Sequence, residues 1–197
     1  MVVTPVKRKK YTAAEYLELE EKAEFKSEFF DGEILPMAGA TANHNKIVLN
    51  LCRALLLEVN EQAYEIFSSD MRLWIPSEKH YTYPDVTVVR GEPSYVDDKQ
   101  MLLTNPCLII EVTSASTKSY DKPSNFYTYR HLSDFEEYIL IDQKSYKATQ
   151  WTKLEDGRWI LADHFGKDCV LKLESIDFEI SFQDLYKRVN FADDADK

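Results

Sequence analysis

Two short apolar stretches each carry one carboxylate, and these carboxylates are the side chains best placed to do chemistry. The first stretch, YTYPDVTVVRG, contains Asp85, and the second, CLIIEVTSAS, contains Glu111. A charge buried in a β-type run costs on the order of several kcal/mol unless it is paired or binds a metal. Carboxylates on two neighbouring strands would supply the hard oxygen ligands that Mg²⁺ prefers. The pattern therefore predicts metal-assisted phosphodiester hydrolysis, or else a structural role in which Asp85 begins a strand and Glu111 pairs with a lysine or arginine.

The composition fits a single globular domain and restricts the class of partner. The chain has 197 residues, of which 44% are hydrophobic, and a formal net charge of −10. That charge argues against a nonspecific nucleic-acid coat protein, which would carry a basic stripe. An enzyme that acts on DNA is compatible with it, because a local basic surface and bound cations can offset phosphate repulsion.

The lack of a recognisable targeting signal and the spacing of the cysteines both predict a cytoplasmic protein. No run approaches the roughly 18 apolar residues of a membrane span, and the N-terminal MVVTPVKRKKYTAAEY has no apolar segment behind its basic cluster. The three cysteines, Cys52, Cys107 and Cys169, are scattered and show no metal-binding spacing, which is typical of reduced thiols. We expect a cytoplasmic protein with no membrane association and no organic cofactor.

The elements that must position the two carboxylates can be predicted from the sequence. In the N-terminal third of the chain, residue patterns predict two helices and a hairpin turn. Thr12 with Glu15 forms a capping-box pattern, which predicts a helix over about 13–23. Asp31-Gly32 predicts the turn of a β-hairpin. An amphipathic helix is predicted within 41–62 because apolar residues recur there at helical spacing: Ile47, Leu51, Ala54, Leu55 and Val59.

Strands dominate the rest of the chain. Strand-type runs cover 64–76, 83–91 and 107–114, and Asp121 with Pro123 predicts the start of a short helix. Further strands with a turn at Asp156-Gly157 and a closing helix at 181–189 follow. We therefore expect a mixed α/β (α+β) fold, with one helix on each side of a central set of strands. Residues 1–197 would form one domain with flexible ends at 1–11 and 190–197.

Several sequence motifs, taken together in their order along the chain, resemble those of the PD-(D/E)XK nuclease superfamily. Within that superfamily, they resemble the bacterial "putative restriction endonuclease" family. The resemblance covers about residues 12 to 185. Its motifs here are SEFFDGEI, MAGATANHN, SSDMRLWI, YPDV, IIEVTS, TKSYDKPSNFYTYRHL and EEYILID. The resemblance implies a restriction-endonuclease-like core, in which helices flank a central mixed sheet and an N-terminal helix and hairpin are added.

The same resemblance assigns roles to individual residues. It implies that Asp85 and Glu111 bind Mg²⁺ or Mn²⁺, and that Glu28 is a third acidic member of the site. Glu28 could instead be a solvated hairpin residue beside Lys26. His44 matches a histidine that the family carries at the start of its long helix, where it could cap the helix, contact phosphate or simply pack.

The sequence departs from the pattern at the catalytic lysine. The superfamily places a lysine two residues after the glutamate, where this chain has Thr113, and the family moves it to the following helix, where this chain has Asn125. Lys122 lies three residues before Asn125 and could reach the same helix face. The lysine would stabilise charge on the reacting phosphate, so its replacement puts the rate in doubt.

Three hypotheses follow from this departure. The first is a metal-dependent endonuclease that hydrolyses DNA, weak because Asn125 replaces the lysine. It would act as a homodimer, because cutting both strands of a duplex usually takes two active sites. The second is a catalytically degraded nuclease fold that serves as a DNA-binding or protein-interaction module. The third is an unrelated α/β domain whose carboxylates are structural.

Overall fold

The N-terminal elements form where the local signals place them. The computed structural model describes residues 9–113 and 123–191. Helix α1 (Ala13–Glu20) begins after Thr12, which exchanges hydrogen bonds with Glu15 in a complete capping box. Strands β1 (Ser27–Phe30) and β2 (Glu33–Pro36) pair through a turn in which Asp31 has φ 41° and Gly32 has φ 90°. Positive φ at both central residues is the geometry of a tight hairpin turn, and it explains the Asp-Gly pair.

The long amphipathic helix is α2 (Ala42–Glu58). Thr41 caps it by accepting a hydrogen bond from the backbone N–H of His44 at 3.2 Å. The predicted apolar face is buried through Leu55, whereas Val59 is the C-cap residue with extended backbone angles. The predicted helix is therefore confirmed, with an earlier end than the pattern suggested.

The remaining elements are mostly strands. Their bounds are β3 (Tyr64–Ser68), β4 (Arg72–Ile75), β5 (His80–Thr82), β6 (Val86–Arg90), β7 (Leu102–Leu103), β8 (Leu108–Val112), β9 (Glu137–Ile141), β10 (Lys147–Lys153), β11 (Trp159–Phe165), β12 (Val170–Leu173) and β13 (Phe178–Ser181). Two further helices are α3 (Pro123–Tyr129) and α4 (Phe182–Leu185).

A six-stranded sheet in the order β11-β10-β9-β8-β6-β3 forms the centre. Within this sheet, β8 and β9 pair in parallel and the other neighbouring strands pair antiparallel, so the sheet is mixed. Alternate residues of β8 enter two different apolar clusters: Ile110 packs with the α2 residue Leu51, and Ile109 packs with the α3 residue Phe126. The mixed α+β fold class, with a helix on each face of the central sheet, is confirmed.

A second sheet, in the order β2-β1-β5-β4-β7, carries the N-terminal hairpin. The strand-type run 64–76 supplies both sheets, because the chain turns at Ser69, which has φ 23°. The antiparallel pair of β12 and β13 was not among the predicted elements. The closing helix predicted over 181–189 is the four-residue α4.

Part of each predicted flexible end contacts the rest of the molecule. The backbone N–H of Tyr11 donates to the carbonyl of Gly32 at 2.9 Å. Near the other end, Asn190 exchanges hydrogen bonds with Asn43. The predicted helix cap Asp121 lies outside the described residues. Within the described ranges, no helix is long and apolar enough to cross a membrane.

Candidate active site

Asp85 and Glu111 lie opposite each other on neighbouring strands. Strands β6 and β8 are antiparallel with Val86 paired to Ile110, and continuing that register by one residue sets Asp85 opposite Glu111. Directly opposite residues point to the same sheet face, with Cβ atoms about 4.5–5.5 Å apart. Asp85 immediately precedes β6, Glu111 lies within β8, and both are half-buried. The fold therefore brings together the two carboxylates that the sequence singled out.

Asp85 is held by one of its carboxylate oxygens. Its Oδ2 accepts hydrogen bonds from the backbone N–H of Val112 at 2.8 Å and from His44 Nε2 at 3.1 Å. Its backbone carbonyl accepts from the N–H of Ser69 at 3.0 Å. Its Oδ1 accepts no hydrogen bond from the residues the structure describes. That oxygen is available to a cation, while Oδ2 fixes the orientation of the carboxylate.

His44 reaches Asp85 from the first turn of α2. The residue is 7% exposed, and its Nδ1 has no partner among the described residues. Because Thr41 provides the helix cap, the role for His44 that the structure favours is contact with Asp85. A proton on Nε2 makes the ring a donor that fixes the carboxylate.

Glu111 is contacted by two side chains of α3. Tyr129 Oη donates to Glu111 Oε1 at 2.6 Å. Asn125 Nδ2 lies 3.3 Å from Oε1 and 3.5 Å from Oε2 of the same carboxylate. The helix position where the related family carries its lysine therefore lies directly beside Glu111. Lys122, the other candidate source of positive charge, lies outside the described residues.

Two buried tyrosines beside the carboxylates were given no role from the sequence, although both lie in the Tyr-rich segments that carry the resemblance. Burial, and then the charge of Glu111, raises the pKa of Tyr129 well above its usual range. Burial also raises the pKa of Tyr138, with Glu111 and Asp85 adding to it. Both phenols therefore stay protonated. The Oη of Tyr138 has no partner among the described residues, and such a buried hydroxyl costs about 1–3 kcal/mol unless a ligand or water pairs with it.

Glu28 approaches the same region from the second sheet. Its Oε1 accepts a hydrogen bond from Thr82 Oγ1 at 2.7 Å. Its charge also contributes to the raised pKa of Tyr129, so its carboxylate lies near that phenol. Lys26, the expected neighbour of a solvated Glu28, instead forms an ion pair with Asp70.

Thr113, where the superfamily expects a lysine, joins three elements. Its Oγ1 accepts from the backbone N–H of Gln143 at 3.2 Å and lies 3.3 Å from Asp142 Oδ1. The side chain of Gln143 in turn bonds the Thr113 carbonyl and the Thr41 hydroxyl. This network fixes the end of β8 against β9 and the start of α2, so Thr113 serves to position the strand that carries Glu111.

The donor set suits a hard cation with few protein ligands. Across the described ranges, no three or more His, Cys, Asp or Glu side chains form a group that could by itself hold a metal ion. Mg²⁺ does not require such a cage, because it keeps several waters and is usually held by one or two carboxylates together with substrate phosphate. Asp85 and Glu111 meet that lower requirement.

Known proteins and a protein-family model are similar to this chain over most of its length. The model of the Uma2 family, described as "Putative restriction endonuclease", matches residues 13–183. Protein sll1609 of Synechocystis sp. is 48% identical over 161 residues, which cover 82% of this chain and 91% of that protein. Protein slr1290 of the same organism is 32% identical over 182 residues, covering 92% and 94%.

A solved structure shares the fold. The crystal structure of a "putative nuclease belonging to DUF820" from Anabaena variabilis superposes with a TM-score of 0.73 at 18% identity. The match covers 91% of this chain and 99% of that one. At this identity the likeness concerns the fold, and it agrees with the mixed sheet and flanking helices described above.

Proposed function

The chain belongs to the Uma2 family of restriction-endonuclease-like proteins, and on that basis we propose that it is a metal-dependent endonuclease that hydrolyses DNA phosphodiester bonds. The observation that carries the proposal is the pairing of Asp85 with Glu111 at the end of two adjacent strands. The buried, unpartnered hydroxyl of Tyr138 beside them supports it, because such a group favours a polar ligand in the same place.

The chemistry of the donors fits Mg²⁺ or Mn²⁺. Asp85 and Glu111 would hold the ion, and Glu28 would be a third acidic neighbour. When bound, such an ion polarises a phosphate and lowers the pKa of a water molecule. The residues of the chain then have two tasks, which are to orient the carboxylates and to limit the water around them.

Orientation comes from both faces of the sheet. His44 and the Val112 amide hold Asp85, while Tyr129 holds Glu111 through a hydrogen bond of 2.6 Å. A protonated phenol beside a carboxylate donates without competing for a cation, since it carries no charge. Asn125 can donate a hydrogen bond in the same place but cannot supply the positive charge of a lysine.

The metal site can be tested without catalysis. We expect millimolar Mg²⁺ or Mn²⁺ to raise the melting temperature, since a ligand at 100 times its Kd stabilises the folded state by about 2.7 kcal/mol. Asp85→Asn and Glu111→Gln should abolish the increase. Asp156→Asn, which changes an exposed turn carboxylate, should leave it intact. An unchanged melting temperature of the wild type in both metals would refute the metal site.

Cleavage is tested on supercoiled plasmid DNA with Mg²⁺, Mn²⁺ or EDTA. We expect slow metal-dependent nicking by the wild type, none by Asp85→Asn, and unchanged nicking by Asp156→Asn. Activity that persists in Asp85→Asn would identify a contaminating nuclease and remove the support for this site.

A second function, binding without cleavage, is favoured by one observation. Asn125 contacts Glu111 where the family's lysine would lie, so the site has kept its carboxylates and exchanged a charged group for a neutral one. In that case the protein would bind DNA or another protein and leave the phosphodiester intact. Asn125→Lys, which places a positive charge beside Glu111, separates the two functions.

We further propose that the protein acts in the cytoplasm as a homodimer that pairs through β11. All three cysteines are free, which supports a reducing compartment. In the described sheet, β11 is hydrogen-bonded on one side only, and it exposes Ile160, Leu161 and Phe165. Two copies paired antiparallel about Ala162 would place Leu161 opposite Asp163, with no like charges facing each other.

Light scattering tests this assembly. We expect twice the chain mass of 23.0 kDa for the wild type and the single mass for Leu161→Asp, because each introduced carboxylate would lie opposite Asp163 of the partner subunit. Leu57→Asp is the matched control, since Leu57 is an exposed leucine on α2. A wild-type mass of one chain would refute the dimer.

A further inference from the structure

A cavity of about 420 Å³ lies between the β3–β4 turn and the segment that precedes β7. Its volume falls in the range of small-ligand sites. The turn between β3 and β4 lines it, and the same turn contacts the chain at Asp85, because Ser69 N–H donates to the Asp85 carbonyl at 3.0 Å. Side chains in the lining include Lys26, Phe67, Asp70, Met71, Arg72 and Tyr83.

Arg72 is the unusual member of this lining. The residue is only 7% exposed, and its Nε donates to Tyr83 Oη at 2.7 Å. The guanidinium carbon lies 5.7 Å from the ring centroid of Tyr16 and 5.2 Å from that of Tyr83. Among the residues the structure describes, no carboxylate forms an ion pair with Arg72, and Nη1 and Nη2 donate no hydrogen bond. Glu20 reaches it only through the Tyr83 hydroxyl.

The Nη nitrogens of Arg72 are charged donors with no hydrogen-bond partner among the described residues, so this position favours an anionic ligand. The planar fork of arginine suits a phosphate, which can accept two parallel hydrogen bonds. Tyr83 and Tyr16 keep the guanidinium in place by stacking and hydrogen bonding. Nη1 and Nη2 make no hydrogen bond with the described residues and remain available to a ligand.

The charges around the cavity favour the same ligand. Lys26 Nζ donates to Asp70 Oδ1 at 2.5 Å and to the Ser69 carbonyl at 3.0 Å. Two cations, Lys26 and Arg72, and one carboxylate, Asp70, are among the described side chains of the lining, so these side chains carry a net positive charge. This contrasts with a chain whose net charge is −10. The local charge offsets the repulsion that an anion would meet elsewhere on the surface.

The other walls are apolar or aromatic. Phe67 and Met71 lie beside the cations, together with the ring of Tyr83. Met101 also lines the cavity and is 43% exposed. Flat apolar ligands stack on such surfaces, and aromatic stacking of a nucleobase contributes about 1–3 kcal/mol. An anion joined to a flat apolar group is the chemistry of a nucleotide.

We infer that this cavity binds one nucleotide, with its phosphate on Arg72 and Lys26 and its base against Phe67 and Met71. The inference rests on the proposed nuclease function, because it places the bound nucleotide in the substrate strand, next to the phosphate at Asp85 and Glu111. A free mononucleotide has the same chemistry, so the two sources are separated by experiment.

The experiment measures binding calorimetrically to the full chain in EDTA, where cleavage does not occur. The probes are deoxyadenosine 5′-monophosphate, inorganic phosphate, deoxyadenosine and a short single-stranded DNA oligonucleotide. We expect the monophosphate to bind at least about 10-fold more tightly than inorganic phosphate or the nucleoside, because it makes both kinds of contact. The oligonucleotide should bind at least as tightly as the monophosphate.

Substitutions locate the binding. Arg72→Gln should weaken monophosphate binding by about 10-fold or more, and the more exposed Lys26→Gln by a smaller factor. Arg158→Gln, which makes the same change at an exposed turn arginine, should have no effect. Lys26→Gln is informative even if Arg72→Gln fails to fold, because its side chain is 41% exposed.

Three outcomes would overturn the inference: no binding of the monophosphate at millimolar concentration, unchanged binding by Lys26→Gln and Arg72→Gln, or an equal loss in Arg158→Gln. Binding of the monophosphate but not of the oligonucleotide would overturn its place in a DNA strand. Asp85→Asn separates this inference from the proposed function, since it should lose cleavage and still bind the nucleotide.

Discussion

At the scale of the residue, Asn125 decides between an enzyme and a binding module. Its amide lies 3.3 Å from a Glu111 oxygen, so a lysine in its place would bring an ammonium group to the carboxylate pair. We expect Asn125→Lys to increase plasmid nicking in Mg²⁺ by about 10- to 1000-fold, because a positive charge there stabilises the charge that develops on the phosphate. Initial nicking rates measure the effect.

Lys122 provides the control for this substitution. If Lys122 already supplies the charge, the wild type should be active, Lys122→Ala should lose most of that activity, and Asn125→Lys should add little. If wild type and Asn125→Lys are both inactive in Mg²⁺ and Mn²⁺ while the protein still binds metal and DNA, the binding module replaces the enzyme.

At the scale of the element, the start of α2 positions one side of the site. Thr41 accepts a hydrogen bond from the His44 backbone, and its hydroxyl also bonds Gln143 at the end of β9. A single side chain therefore fixes both the first helical turn and its place against the sheet. His44 depends on this arrangement for its contact with Asp85.

The cap can be measured through stability. We expect Thr41→Ala to lower the free energy of unfolding by about 1–2 kcal/mol, because it removes the cap and leaves Gln143 without that partner. Thr41→Ser keeps the hydroxyl and should restore most of the loss. Urea denaturation gives both values, and equal losses in the two variants would show that the methyl group of Thr41, not its hydroxyl, matters.

At the scale of the whole molecule, the second sheet contains a buried histidine that makes stability depend on pH. His80 is 7% exposed, both of its ring nitrogens lack partners among the described residues, and its strand neighbours are Phe30 and Ile75. Burial lowers the pKa of His80 from its usual 6.5 to about 4. The unfolded chain therefore takes up a proton at a higher pH than the folded chain does.

The sign of the effect follows from this difference. As pH falls from about 6.5 to about 4, protonation favours the unfolded state, by up to about 3 kcal/mol from His80. We expect His80→Leu to lose less stability than the wild type over this range, as measured by urea denaturation at several pH values. Parallel pH profiles for the two proteins would show that His80 does not titrate in this way.

Much of the fold was predictable because its signals are local. The Thr12–Glu15 capping box and the Asp31-Gly32 turn involve residues adjacent or three apart, and each forms as predicted. The sequence did not predict that the run 64–76 contributes one strand to each of two sheets. Alternation of apolar residues indicates a strand without indicating which strand it pairs with. The β12–β13 pair was missed altogether.

The candidate site was likewise predictable only in part, because local sequence signals identify its carboxylates but not the residues that contact them. The sequence by itself determined that Asp85 and Glu111 stand in apolar strands, since a buried carboxylate is conspicuous wherever the strand goes. Only the tertiary structure decided what surrounds them. His44 contacts Asp85 across 41 positions of sequence, and Tyr129 contacts Glu111 across 18. Contacts of that range depend on how helices pack on the sheet, which periodicity and caps do not specify.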